Sequence, residues 1–142
     1  MGRDIFQASA KVHALYEQAN TLLGFDLAAL SFDGPEEELK VTRNTQPALF
    51  VHSYALHMLL QDKGLSAAAV AGHSLGEFSA LAAAGAFTFE QGLRLVKLRG
   101  ELMYGAGQEP TGTRAAIIGL ELDQIEAICQ QDSKVALVFP GN

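Results

Sequence analysis

Apolar residues recur along this chain first at helical spacing and later in short unbroken runs. From Asp4 to Leu23 the positions Ile5, Phe6, Val12, Leu15, Tyr16, Ala19 and Leu22 follow a helical repeat, and Gly24 supplies a stop, which predicts one or two amphipathic helices. Phe32-Asp33-Gly34-Pro35 is turn chemistry, and Glu36 to Leu39 can open a short helix. Ala48 to Leu60 is apolar and long enough for a deeply packed helix, with Pro47 in its first turn. Ala68 to Gly72 is short, apolar on both faces and followed at once by a turn and a helix-forming stretch, the pattern of a buried parallel strand. Glu77 to Ala84 reads as a small-residue helix, and Thr88, with Glu90 and Gln91 behind it, caps another through Met103. Gly105, Gly107, Pro110 and Gly112 make a loop before a strand at Arg114 to Leu120, a helix at Asp123 to Gln131 and a strand at Lys134 to Phe139. Strands alternating with helices predict an α/β class, a three-layer sandwich around a mainly parallel sheet.

The candidate chemistry sits where the first predicted strand ends. Gly72-His73-Ser74-Leu75-Gly76 has the G-x-S-x-G form between an apolar strand and a helix, the context expected of a nucleophile elbow. Glycines stand two positions to either side of the serine because the backbone must turn so sharply that side chains there would collide. Such a turn lifts the Ser74 hydroxyl out at a helix N-terminus, where free N–H groups favour negative charge on an oxyanion and the N–H of Leu75 is the natural first donor. The five residues alone fit equally well a tight turn with a capping serine.

Composition narrows the partners. In 142 residues, 49% are hydrophobic and 18% charged, enough for one domain with its own core. The formal charge of -6 argues against a nucleic-acid surface, which needs clustered Lys and Arg. A single cysteine, Cys129, cannot form an internal disulfide, and no apolar stretch reaches the length of a spanning helix or follows a signal-peptide pattern, so a soluble cytoplasmic protein without membrane contact is expected. His13, His52, His57 and His73 show no spacing that suggests a metal site, and none is assigned. His52 and His57 fall within the apolar helix and read as core or surface residues.

Residues 72–103, GHSLGEFSALAAAGAFTFEQGLRLVKLRGELM, resemble the acyltransferase family that includes malonyl-CoA:acyl carrier protein transacylases and polyketide synthase acyltransferase domains. Residues 24–56, GFDLAALSFDGPEEELKVTRNTQPALFVHSYAL, are similar to the same family, and 115–129, AAIIGLELDQIEAIC, resemble the start of its small ferredoxin-like subdomain. The similarity covers most of residues 1–131. It implies that Ser74 is the nucleophile that becomes malonyl-esterified and that Arg99 binds the free carboxylate of the malonyl group. A planar guanidinium suits that role, since it can grip a carboxylate with two charge-assisted hydrogen bonds. Gln46 matches the glutamine of the family's TQPAL segment and implies a lining position. His73 also lies at the substrate site, as packing of the motif and not as the base. In the family the base is a histidine from a later segment, and no histidine follows His73 here.

Two departures accompany the match. Family members open with a strand and a PGQGSQ-type loop whose glutamine supplies the second oxyanion N–H. This sequence starts at Met1-Gly2-Arg3, while residues 134–142, Lys134 to Asn142, look like that opening strand displaced to the other end, with Asn142 where the glutamine would stand. The same residues can instead be read as the second strand of the ferredoxin-like subdomain, most of which is missing. Arg114 stands where the family usually has methionine. The resemblance implies one acyltransferase-like domain over 1–142, with malonyl-CoA as substrate, no tightly bound cofactor, an acyl carrier protein as partner in fatty acid or polyketide synthesis, and apolar surface open to self-association. Without a base such a chain should turn over slowly, and a non-catalytic fragment or engineered scaffold of the same family is the alternative. A generic α/β-hydrolase esterase shares the elbow but requires a histidine after the serine.

Overall fold

A computed structural model describes residues 1–106 and 117–132 of the chain. The chain divides into two compact units, Met1–Thr111 and Gly112–Asn142. In the first, α1 (Arg3–Ala8) and α2 (Ala10–Leu23) form the expected pair, broken at Ser9, whose hydroxyl caps α2 by accepting from the Val12 N–H. Gly24 ends α2 in the left-handed conformation at φ 83°, which glycine reaches without a Cβ clash. Asp26 caps α3 (Leu27–Asp33), and α4 (Glu36–Lys40) carries three glutamates in its first turn and Lys40 in its last, matching the helix dipole.

Helix α5 (Thr42–Asp62) is the spine of this unit. It begins earlier than the sequence pattern suggested, so Pro47 lies inside it and not in its first turn. The polar residues Thr42 to Thr45 complete the extra turn, and the missing Pro47 N–H leaves only the Arg43 carbonyl without its helical donor. The elbow leads into α6 (Gly76–Ala83), and α7 (Phe89–Ala106) starts with a capping box: Thr88 Oγ1 accepts from the Gln91 N–H at 3.2 Å while Gln91 Oε1 accepts from the Thr88 N–H at 2.9 Å.

The core follows the helical spacing. Val12, Leu15, Tyr16, Ala19 and Leu23 form the buried face of α2, Phe50, Val51 and Ala55 that of α5, and Phe89, Leu93 and Val96 that of α7. Two glycines let α7 lie close on α5. A Cβ at Gly92 would come within 2.6 Å of the Phe50 ring, and one at Gly100 within 3.0 Å of the Arg43 Cα. Lys97 ties α7 to the end of α2 by donating to the Leu23 carbonyl at 3.1 Å.

The expected parallel strand at Ala68 to Gly72 is not seen among the described residues. These residues run without ladder pairing and are exposed, Val70 at 43%. A strand is held by hydrogen bonds to a neighbouring strand, and no described residue supplies one. The described residues are helical throughout their regular elements, so the sheet of the expected sandwich is not seen among them. In the second unit, α8 (Leu122–Asp132) matches the expected helix, and Ile117 to Leu120 are not in a strand. Arg114 and the candidate strand at Lys134 to Phe139 lie outside the described residues.

Candidate functional site at the serine elbow

The backbone itself marks the elbow. Ser74 has φ 55°, and among the described residues no other non-glycine has a positive φ. Holding a residue with a Cβ there costs on the order of 1–3 kcal/mol and persists only where the surroundings enforce it. The enforcement is visible at Gly72, where an added Cβ would lie 2.0 Å from the carbonyl carbon and oxygen of Gly76. The chain closes on itself between the two glycines of the motif. The turn is fastened by the Gly76 N–H donating to the His73 carbonyl at 2.8 Å and the Phe78 N–H to the Leu75 carbonyl at 3.0 Å. The Leu75 side chain is buried in the core, while its N–H, just before α6, meets no acceptor among the described residues.

Ser74 is exposed, and its Oγ accepts a hydrogen bond from Arg99 Nη2 at 3.1 Å. The other arm of the same guanidinium, Nη1, donates to Oε1 of Gln46. Gln46 is buried, at 5% exposure, and its Nε2 donates to Thr42 Oγ1 at 2.9 Å and towards Met103 Sδ at 3.4 Å. The Phe78 ring lies beneath the Arg99 guanidinium, 5.8 Å from Cζ to centroid. Thus α5, the elbow and α7 converge on one arginine, and Ser74, Arg99 and Gln46 come together.

The other candidates stand apart from this cluster. His73 is exposed, and its side chain makes no hydrogen bond or ion pair among the described residues. His52 lies against Gly2, whose added Cβ would be 2.6 Å from Nδ1, and His57 packs on the Tyr54 ring. Burial, reinforced by the positive amino terminus and partly offset by Asp4, holds the His52 imidazole below its usual pKa. Asn142 lies outside the described residues. Thr42, Phe78 and Met103 were not singled out from sequence. Thr42 sits four positions from Gln46 on α5 and Met103 four from Arg99 on α7, a spacing that brings side chains together on a helix, whereas Phe78 on α6 carries no such signal. Among the described residues there is no group of His, Cys, Asp and Glu able to hold a metal ion, and no helix long and apolar enough to cross a membrane.

Residues 1–139 match the family described as "Acyl transferase domain". The malonyl CoA-acyl carrier protein transacylase of Escherichia coli (strain K12) is 46% identical over 132 residues, which are 92% of this chain and 43% of that protein. The Staphylococcus aureus (strain COL) protein of the same name is 37% identical over 143 residues, covering 100% of this chain and 46% of that protein. Among solved structures, that of MCAT from Streptococcus pneumoniae matches with a TM-score of 0.86 at 41% identity, over 100% of this chain and 46% of that one. A malonyl-transacylase in complex with its holo type II PKS acyl-carrier protein matches with a TM-score of 0.81 at 41% identity, over 94% of this chain and 44% of that one. The chain spans less than half the length of these relatives.

Proposed function

Because this chain belongs to the acyl transferase domain family, we propose that it carries the nucleophile and the carboxylate clamp of an enzyme that moves a malonyl group from CoA to the phosphopantetheine thiol of an acyl carrier protein. The observation that carries this reading is the hydrogen bond from Arg99 Nη2 to Ser74 Oγ. It sets a permanent cation beside a strained, exposed hydroxyl, where an acyl group with a free carboxylate can meet both.

In the proposed reaction Ser74 Oγ attacks the thioester carbonyl, a C–O bond forms, and the hydroxyl proton passes to a base. The negative charge on the carbonyl oxygen is met by the Leu75 N–H. Collapse breaks the C–S bond, CoA leaves as the thiol once protonated, and the malonyl-Ser74 ester remains. The carrier protein's thiol then reverses the sequence and regenerates the hydroxyl. Arg99 holds the malonyl carboxylate through both steps, Gln46 lines the site beside it, and His73 borders the elbow. The proposed scaffold is the family's α/β sandwich, with its sheet beneath the elbow.

Among the described residues no histidine or carboxylate hydrogen-bonds Ser74. Since a positioned base contributes about 10²–10⁴-fold, the chain alone should acylate slowly. Intact-mass measurement after incubation with malonyl-CoA tests the proposal. A slow malonyl adduct that maps to Ser74 and disappears in Ser74→Ala is expected. No adduct at any time, with the elbow intact, would leave a non-catalytic scaffold as the better description.

A further inference from the structure

Arg99 reaches the nucleophile from α7, but what fixes the direction of its guanidinium lies on α5. Gln46 is nearly fully buried, so its amide must find partners inside the protein. Its oxygen faces Arg99, which can only donate, and its nitrogen faces the Thr42 hydroxyl and the Met103 sulfur, both of which can accept. Reversing the amide would set its NH₂ against the guanidinium and its oxygen against the thioether sulfur. One orientation therefore satisfies both ends.

We infer that Thr42, acting through Gln46, is a positioning residue for Arg99: its hydroxyl holds the Gln46 amide so that Oε1 tethers one arm of the guanidinium and the other arm points at Ser74. The tether leaves the arm that faces Ser74 as the one a carboxylate can take. Thr42 makes no hydrogen bond to Ser74, and its effect runs through the amide of Gln46 one helical turn further on. Phe78 beneath the cation limits its tilt, so the amide and the ring together leave the long arginine side chain few ways to turn. The inference rests on Arg99 being the carboxylate clamp, and the test separates the two.

The probe is free malonate, titrated into the chain and its variants by calorimetry, with folding checked by circular dichroism melts. Arg99→Ala should abolish binding. Thr42→Val, which swaps the hydroxyl for a methyl group of similar shape, should weaken malonate about fivefold by removing one hydrogen bond. Thr42→Ser should restore wild-type affinity. Thr42→Ala serves as a second variant should the valine disturb the first turn of α5, and it should weaken binding to the same degree. Malonate bound as tightly by Thr42→Val and Thr42→Ala as by the wild type, while Arg99→Ala fails to bind, would overturn the positioning role and leave the clamp standing. Malonate bound equally by the wild type and Arg99→Ala, or by neither, would overturn the clamp and the positioning role with it.

Discussion

Arg99 donates to the Oγ of Ser74 at 3.1 Å, although 25 positions separate the two in the sequence. A guanidinium does not deprotonate in proteins, so the hydroxyl always sits beside a positive charge. In the proposed reaction a substrate carboxylate takes this same N–H arm. Ser74 and the carboxylate therefore compete for it, and Ser74→Ala should bind free malonate more tightly, by about fivefold, the worth of one hydrogen bond released. Calorimetric titration of the variant against wild type measures this.

Strain at the elbow is separable from chemistry. Ser74 holds φ at 55°, a region that glycine enters freely and alanine does not. Ser74→Gly should therefore raise stability by about 1 kcal/mol, whereas Ser74→Ala should leave it nearly unchanged. Urea unfolding of both variants gives the comparison, and neither should form an acyl adduct.

The glycines differ in what an added methyl would strike. At Gly72 it would meet backbone at 2.0 Å, which has nowhere to go, while at Gly92 it would meet the ends of the Phe50 and Phe87 rings at 2.6 Å. Ring ends can swing aside by the roughly 0.8 Å that ordinary contact at 3.4 Å requires, at some cost in packing. Gly72→Ala should cost about 3 kcal/mol or more and abolish acylation, and Gly92→Ala about 1–2 kcal/mol with acylation retained. Urea midpoints and intact-mass labelling together distinguish the two.

Helix boundaries were legible wherever local chemistry sets them. Gly24 at a C-terminus, the Thr88 and Gln91 capping box and the apolar face of α2 need only neighbouring residues to act. The stretch from Ala68 to Gly72 has the composition of a strand, but pairing depends on a partner elsewhere in the chain, which composition does not encode. Pro47 misled for a related reason, because its ring tolerates more than one place in a helix and the choice fell to the polar residues before it. At the site, motif spacing pointed to Ser74, while Arg99 and Gln46 came only through family resemblance. The convergence of α5 and α7 on Ser74 depends on long-range packing, including the close approach at Gly92 and Gly100.

Two buried polar groups lie near Gly2, and one of them, His52, links stability to pH. The Tyr16 hydroxyl and His52 Nδ1 have no hydrogen-bond partner among the described residues, and burial pushes the Tyr16 phenol up to about 12. For His52 the fold favours the neutral imidazole, so the unfolded chain binds the proton more readily. Its contribution is fully present above the ordinary value of about 6.5 and is lost as pH falls through the lower folded value. Stability followed between about pH 5 and 8 should decline on the acid side, and His52→Phe should flatten that decline. Tyr16→Phe removes an unpaired buried hydroxyl and should raise stability by about 1 kcal/mol at neutral pH.

Charge and shape at position 99 can be told apart by a single substitution. Lysine keeps the positive charge but presents a compact ammonium on a flexible stem, so it can neither grip a carboxylate with two parallel bonds nor donate to Gln46 Oε1 in the same plane. If Arg99 selects acyl groups by their carboxylate, Arg99→Lys should slow formation of the malonyl-Ser74 adduct by about 10–100-fold, the equivalent of one charge-assisted hydrogen bond. Acetyl-CoA offers no carboxylate, so its slower labelling should change little. The ratio of the two labelling rates is then the informative quantity, because damage to the elbow would slow both alike. Arg99→Ala extends the series: the malonyl rate should fall towards the acetyl rate, and the two should converge once no cation remains to tell the acyl groups apart. A malonyl preference that survives in Arg99→Ala would place the selecting group elsewhere in the protein.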